Sequence, residues 1–407
     1  MRTNSTTKAN MMGLTITDHG GRGDGRHDNS AAFAAAFTRL ADCAHATLYL
    51  PDGEFGVTQP VYVPNHVSLQ LAPATRLFAM PGFTGEAVII KGEAIAANPD
   101  GSENWGRHGY SGQIAGGIID GGKLPIHGII TRWARRMIIR DLEVFNALAG
   151  GIRIAEQGWY EHTLRGVRVQ IDFDVTCVAN AIGIEVVNGS DNHVSQVLVI
   201  GYDVGVKGAS GSTCFSQVHV WKGRHRPFKI GFHAGGWNDC YSQCQVDEIA
   251  DGIGFVVDAP FQRFESCMVQ GGYAGMKPAP GSVAPVAFRI TPRGTHCTYL
   301  GTFINPNETT PFVAAFEGTL EGATILGTLY NPHAKAGAVS QIPSGTGGAS
   351  FLPVTGFVGD GLRLPAPSAQ PPVATDGGVG ELRWSEQDGQ AVLYLKTTQG
   401  WRAARFQ

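Results

Sequence analysis

The chain is poor in charge. Only 16% of its 407 residues are Asp, Glu, Lys or Arg, the net charge is −3, and neither half is strongly basic. A phosphate-binding surface needs clustered Lys and Arg, so nucleic acid is not an expected partner. Long apolar runs are missing too. Nothing approaches the ~18 residues of a membrane span, so no membrane partner is expected. Residues 1–13 are polar and lack the apolar stretch of a Sec signal peptide. The expectation is a soluble protein that would reach an extracellular or virion-associated place by lysis or within a particle. Seven cysteines form no C-x-x-C pair, and free thiols are expected. HExxH, EF-hand and zinc spacings are absent, so no metal site or cofactor is expected. The GxG pieces near residue 23 lack GxGxxG or Walker spacing, which excludes a nucleotide loop.

Glycine, in contrast, is abundant at 56 residues, and 43% of the chain is hydrophobic. The glycines are ordered. Gly183, Gly205, Gly231 and Gly254 each open a short apolar strand and step by 22, 26 and 23 residues. A second alternating strand follows about nine positions later: His193-Val194-Ser195-Gln196-Val197, Cys214-Phe215-Ser216-Gln217-Val218, Cys240-Tyr241-Ser242-Gln243, Arg263-Phe264-Glu265-Ser266. Gly128 and Gly151 open two earlier coils, 23 residues apart. Strands at this period without helices predict a solenoid. The recurring Ser, Gln and Cys are expected as inward scaffold columns. Cys214 and Cys240 would stack as small buried residues.

The first 66 residues read differently. Gly23-Asp24-Gly25 with Asp28 precedes an Ala-rich helix, expected over Ala31–Leu40 with Phe33, Phe37 and Leu40 on one face. Asp28, Asn29 or Ser30 can cap it. Leu48-Tyr49-Leu50-Pro51-Asp52-Gly53 follows. These 45 or so residues resemble the N-terminal signature of the pectate-lyase-like superfamily, which includes polygalacturonase-type glycosidases, pectate lyases, mannuronan epimerases and phage tailspikes. The resemblance implies an all-β fold, a right-handed parallel β-helix plugged by an N-terminal helix, and activity on a polysaccharide. It also leaves room for a calcium ion, which relatives often use. The expected organisation is a flexible segment 1–13, a cap 14–66, a β-helix 67–332, a Gly/Pro-rich linker 333–379 and a C-terminal β-hairpin 380–407 turning at Asp388-Gly389. That hairpin, GELRW…LYLKTTQGW, resembles those of phage tail proteins, and the tailspike resemblance implies a homotrimer.

The NTD, GDD, GHG and RIK motifs of polygalacturonases are missing. Candidate catalytic residues are therefore taken from position. Asp203, Lys229 and Asp251 precede opening glycines, and "D-x-G" is equally a turn held by side-chain-to-backbone bonds. Asp172 and Asp174, one residue apart, would face one side of a strand and could divide acid and base roles. His225 and Lys229, with Arg224 and Arg226, would suit proton abstraction beside a uronate carboxylate. Trp159, Tyr202, Trp221 and Trp237 are candidate sugar-stacking groups, with Glu248 one coil on. Three readings stay open: a glycoside hydrolase on the carboxylates, a lyase or epimerase on the basic set, and a non-catalytic glycan-binding tail or adhesin. The partner is a polysaccharide or oligosaccharide in all three.

Overall fold

The computed structural model describes residues 13–43, 45–92, 112–132, 134–154, 161–187, 189–221, 229–249, 251–271, 285–305, 314–318, 320–326, 329–330, 350–352, 382–387, 390–397 and 400–405. They form two compact units, residues 1–228 and 229–407. The helix α1 (Ser30–Leu40) starts where Asp28 accepts hydrogen bonds from Ser30 N at 3.0 Å and Thr58 Oγ1 at 2.6 Å. This ties the first helical turn to a residue almost thirty positions on. The helix buries Ala32, Phe33, Ala36, Phe37 and Leu40. The expected apolar face is the observed one, and it packs toward the strand Val61–Val63 and the turn Ile16–His19.

The first unit coils through two parallel sheets. One carries Val61–Val63, Ala87–Lys91, His127–Thr131, Gly150–Ile154, Ile182–Val186 and Val204–Gly208 in that order. The other carries Gln113–Ala115, Ile138–Ala147, Thr163–Gln170, His193–Ile200 and Cys214–Trp221. Like residues meet in register: Ile152, Ile184 and Val206 form one inward file, and Val169, Val199 and Val220 form another. All six are essentially buried. This is the solenoid that the repeat predicts, in the form that the resemblance implies, a right-handed parallel β-helix.

The opening glycines have a packing reason. A Cβ on Gly151 would lie 2.1 Å from Val169 Cγ1, and one on Gly183 would lie 2.2 Å from Val199 Cγ1. Real Cβ atoms do not come so close, so these two inward valines of one sheet sit on bare glycines of the other. Gly231 and Gly254 of the second unit stand in the same relation to Val246 and Val269, at 2.7 and 2.8 Å.

The second unit repeats the coil with a different filling. Its strands Ile230–Ala234, Ile253–Val257, Val286–Ile290 and Ala314–Gly318 pair in parallel. Phe232, Phe255, Phe288 and Phe316 stack along them at 4.7, 4.9 and 5.2 Å. Tyr241, Phe264 and Tyr299 stack at 5.1 Å on the facing strands and meet the phenylalanines edge-on. Offset and edge-to-face contacts of this kind add to the area they bury. Near the C-terminus the described strands are three, not the expected two: Leu382–Gln387, Gln390–Thr397 and Gly400–Arg405 form an antiparallel sheet. The register brings Gln387 opposite Gln390, on either side of the expected turn. All seven cysteines are free; Cys240 is buried and Cys214 is partly exposed.

Candidate functional site

The long strands of the second sheet share a bend at one register position. The bend residue has a left-handed backbone: Asp141 at φ 52°, Gly166 at 63°, Gln196 and Gln217 at 54°. In the second unit Gln243, Ser266 and Gly301 repeat the feature at 53°, 51° and 56°. This conformation costs a residue with a Cβ about 1–2 kcal/mol. Residues on either side of the bend turn their side chains toward each other, and the coils stack the bends into a trough. The Ser and Gln columns therefore face outward, a correction to the expected inward scaffold: Gln196 and Gln217 are exposed, and Ser195 and Ser216 are half-buried in register. The period of two fails at the bend, because one left-handed residue inverts the alternation that follows it.

In the first unit this trough is a groove enclosing about 720 Å³. Asp141, Gly166 and Gln196 lie along its floor, Arg140 stands before the bend, and Glu143, Arg168 and His219 stand after it. Ile118, Glu143, Arg168, Leu198 and His219 are register partners on successive coils. At ~4.8 Å per strand these five positions span about 19 Å. The floor can be no higher at Gly166, where a Cβ would meet Asp141 Oδ1 at 2.9 Å.

Charge in the groove is balanced and held in place. Arg140 Nη1 donates to Asp141 Oδ2 at 2.6 Å, and its Nε donates to Gln113 Oε1 at 3.1 Å. Arg168 Nε donates to Gln170 Oε1 at 2.8 Å. Gln70 closes one end, donating to the carbonyls of Leu71 and Ala115 at 3.1 and 3.3 Å. Two carboxylates, two guanidinium groups, an imidazole and two amides thus line one open channel. Such a set can hydrogen-bond hydroxyl groups, and its carboxylates can exchange protons with a bound chain.

The residues singled out from sequence lie elsewhere. Asp172 and Asp174 sit in and beside the turn after Thr163–Gln170, not on a strand. Lys123 Nζ reaches Asp172 at 3.1 Å and Asp174 at 3.9 Å, and Asn146 exchanges two hydrogen bonds with Asp172. These two carboxylates together hold the Lys123 ammonium more firmly charged than an ordinary lysine. Asp203 accepts the Asn180 N–H at 2.7 Å, which is the turn-holding role weighed for it. Tyr202 is buried and donates to the Ala147 carbonyl at 3.0 Å, so it anchors the coil interior and offers a substrate no face. Asp251 and Glu248 of the second unit are buried as well, which corrects their placement on a solvent-facing cleft. Burial of a carboxylate is costly and marks structural bonding rather than open access.

Trp221 is half-buried and meets exposed Phe173 edge-on at 5.6 Å. Trp237 of the second unit is 57% exposed, and Lys229 is exposed. Trp159, Arg224, His225 and Arg226 lie outside the described residues. Among the described residues no three His, Cys, Asp or Glu side chains are grouped to hold a metal, and no helix is long and apolar enough to cross a membrane. The groove residues Arg140, Asp141, Glu143, Arg168 and His219 were missed by sequence reasoning. The available signal was Arg140-Asp141-Leu142-Glu143, two carboxylates around one buried leucine, followed 25 residues later by Arg165-Gly166-Val167-Arg168.

No protein-family model matches the chain, and no curated protein sequence matches it. Solved structures do. The Streptococcus pneumoniae surface protein and adhesin PfbA aligns with TM-score 0.58 at 12% identity, over 78% of this chain and 92% of its own. A mutant tailspike of Escherichia coli bacteriophage HK620, solved with a pentasaccharide, aligns with TM-score 0.54 at 14% identity, over 84% and 66%. A family 28 exopolygalacturonase of Yersinia enterocolitica aligns with TM-score 0.52 at 11% identity, over 79% and 72%. At such identities the likeness is one of fold alone, the parallel β-helix.

Proposed function

We propose that this β-helix binds an extended polysaccharide in the bend groove of its first unit and cleaves it by hydrolysis. The observation that carries the reading is the groove itself: about 720 Å³, open along several coils, with an apolar lining from which Arg140, Asp141, Glu143, Arg168, Gln196 and His219 present polar groups. A chain of sugar rings, with apolar C–H faces and hydroxylated rims, suits a long trough of mixed lining better than a compact ligand does. Asp141 and Glu143 are the carboxylates for acid and base work, because both line the groove, two residues apart on one strand. Arg140 positions Asp141, and Gln196 offers amide donors and an acceptor to sugar hydroxyls. The likeness to a tailspike solved with a pentasaccharide and to an exopolygalacturonase supports a glycan as partner. A surface or virion location accords with the adhesin and tailspike folds.

A second reading has its own observation. Arg140, Arg168 and His219 line the same groove, the set that elimination from a uronate would use to steady an enolate and move a proton. One experiment separates the readings. Purified bacterial surface polysaccharides are incubated with the chain and assayed for new reducing ends and for the ultraviolet absorbance of an unsaturated uronate. Reducing ends alone support hydrolysis. Reducing ends together with absorbance support elimination. Binding without either leaves a glycan-binding adhesin and sinks both catalytic readings.

A further inference from the structure

The second unit carries an exposed aromatic row that the groove does not explain. Trp237 is 57% exposed and Phe261 is 47% exposed. Their rings meet edge-to-face at 6.3 Å and 80°, and Phe261 meets His296 at 5.4 Å and 32°. The three residues sit on successive corners. Asn238 N donates to Pro260 O at 3.3 Å, Phe261 N to Thr295 O at 3.0 Å, and His296 N to Glu321 O at 2.8 Å. The corners are thus fixed by main chain, and the rings project from them one per coil.

The backbone makes the row costly. Asn238, Phe261, His296 and Gly322 all have left-handed φ, at 59°, 61°, 57° and 63°. Asn and Gly tolerate that conformation; a bulky phenylalanine there is an outlier. At the last corner a Cβ on Gly322 would lie 2.5 Å from the His296 ring, so the row ends against bare backbone. Phe261 therefore costs stability twice, once in its dihedral angle and once in exposed apolar area. Asn or Gly would relieve both. Strain kept at a solvent-facing position points to a role outside folding.

What covers the row follows from its size. The three rings leave roughly 300 Å² open, taking about half of the 150–250 Å² of each aromatic side chain. A stable contact between copies needs about 800 Å² from each partner. The row is too small for a second chain and matches a line of pyranose rings, whose C–H faces stack on aromatic planes while their rims take hydrogen bonds. Charged Arg293, 70% exposed, and exposed Glu321 stand in the same turns.

We propose that Trp237, Phe261 and His296 form a second carbohydrate-binding platform, separate in composition from the groove, that grips the apolar faces of sugar rings. The platform rests on the reading that the chain takes glycans, and goes beyond it by assigning a non-catalytic site. The test uses the full chain, gel electrophoresis through purified bacterial surface polysaccharides, and four variants: Trp237→Ala, Phe261→Asn, these two combined, and Arg140→Ala with Asp141→Asn. Phe261→Asn suits the left-handed corner, so it keeps the fold. Each platform variant is expected to weaken retardation several-fold, and the two together about tenfold, with cleavage of short oligosaccharides unchanged. Retention of full affinity in both platform variants, while the groove variant loses it, overturns the platform and leaves the groove standing. Loss in the platform variants alone supports the platform and removes the groove. Absence of retardation of the unaltered chain in every polysaccharide overturns both. A change in mass by light scattering on replacing Phe261 also overturns the platform, since it makes the row a contact between copies.

Discussion

Lowering the pH from 7 to 5 should destabilise the first unit by about 2 kcal/mol through a single side chain, His162. Its ring is 1% exposed. Burial depresses its pKa from 6.5 to about 4, outweighing a main-chain hydrogen bond at Ala134 that favours the proton. The Met137 N–H points at Nδ1 at 3.1 Å, so that nitrogen must keep its lone pair, and His162 N is itself held by Asn192 Oδ1 at 3.1 Å. The folded state therefore prefers the neutral ring. The unfolded chain takes up a proton near pH 6.5, which makes the stability of this site complete above that value and lost progressively as the pH falls toward 4. With pKa values of about 4 folded and ~6.5 unfolded, linkage gives roughly 0.2 kcal/mol of loss at pH 7 and about 2 kcal/mol at pH 5. The assay is an equilibrium urea titration of the chain and of His162→Gln at both pH values. Gln can still accept the Met137 N–H but cannot titrate. The unaltered chain should lose about 2 kcal/mol more than the variant between pH 7 and 5. Equal losses, or an imidazole titrating near pH 6.5 by NMR, would refute the reasoning.

Three further outcomes are expected. Gly183→Ala should cost about 1–3 kcal/mol by thermal or urea unfolding, because its Cβ meets Val199 Cγ1 at 2.2 Å, and adding Val199→Ala should recover part of the loss. Tyr299 is fully buried, and its hydroxyl finds no partner among the described residues, so Tyr299→Phe should leave the unfolding midpoint unchanged or raise it. Asp141→Asn and Glu143→Gln should each lower turnover of a cleaved polysaccharide about 10²–10⁴-fold with little effect on its binding; loss of binding with retained turnover would place the chemistry elsewhere.

The solenoid was legible because its cause is periodic. A glycine under a valine recurs wherever two sheets press together, and α1 shows its buried face in Phe33, Phe37 and Leu40. The site was not legible in the same way. Asp203 and Asp251 occupy tempting positions before glycines, yet one holds the Asn180 amide and the other is buried. Nothing in the spelling of the chain separates a carboxylate that satisfies a turn from one that faces solvent. The Gln column was visible but its direction was not: Val194-Ser195-Gln196-Val197 breaks the period of two, and it takes the left-handed backbone of Gln196 to turn both polar residues outward. Phe261 was hidden for the same reason: its exposure depends on a corner conformation that no local pattern announces.

The bend column has a bearing on how this molecule could change over time. Its depth is set by main-chain angles at Asp141, Gly166, Gln196 and Gln217, and the side chains along it come from separate turns of the solenoid. Each position can then be exchanged without disturbing its neighbours' backbone, so long as the bend survives. Recognition becomes a row of nearly independent choices, one about every 4.8 Å. Such a surface can drift from one ligand to another by single substitutions, and variant libraries built along it should yield altered binding far more often than altered folding.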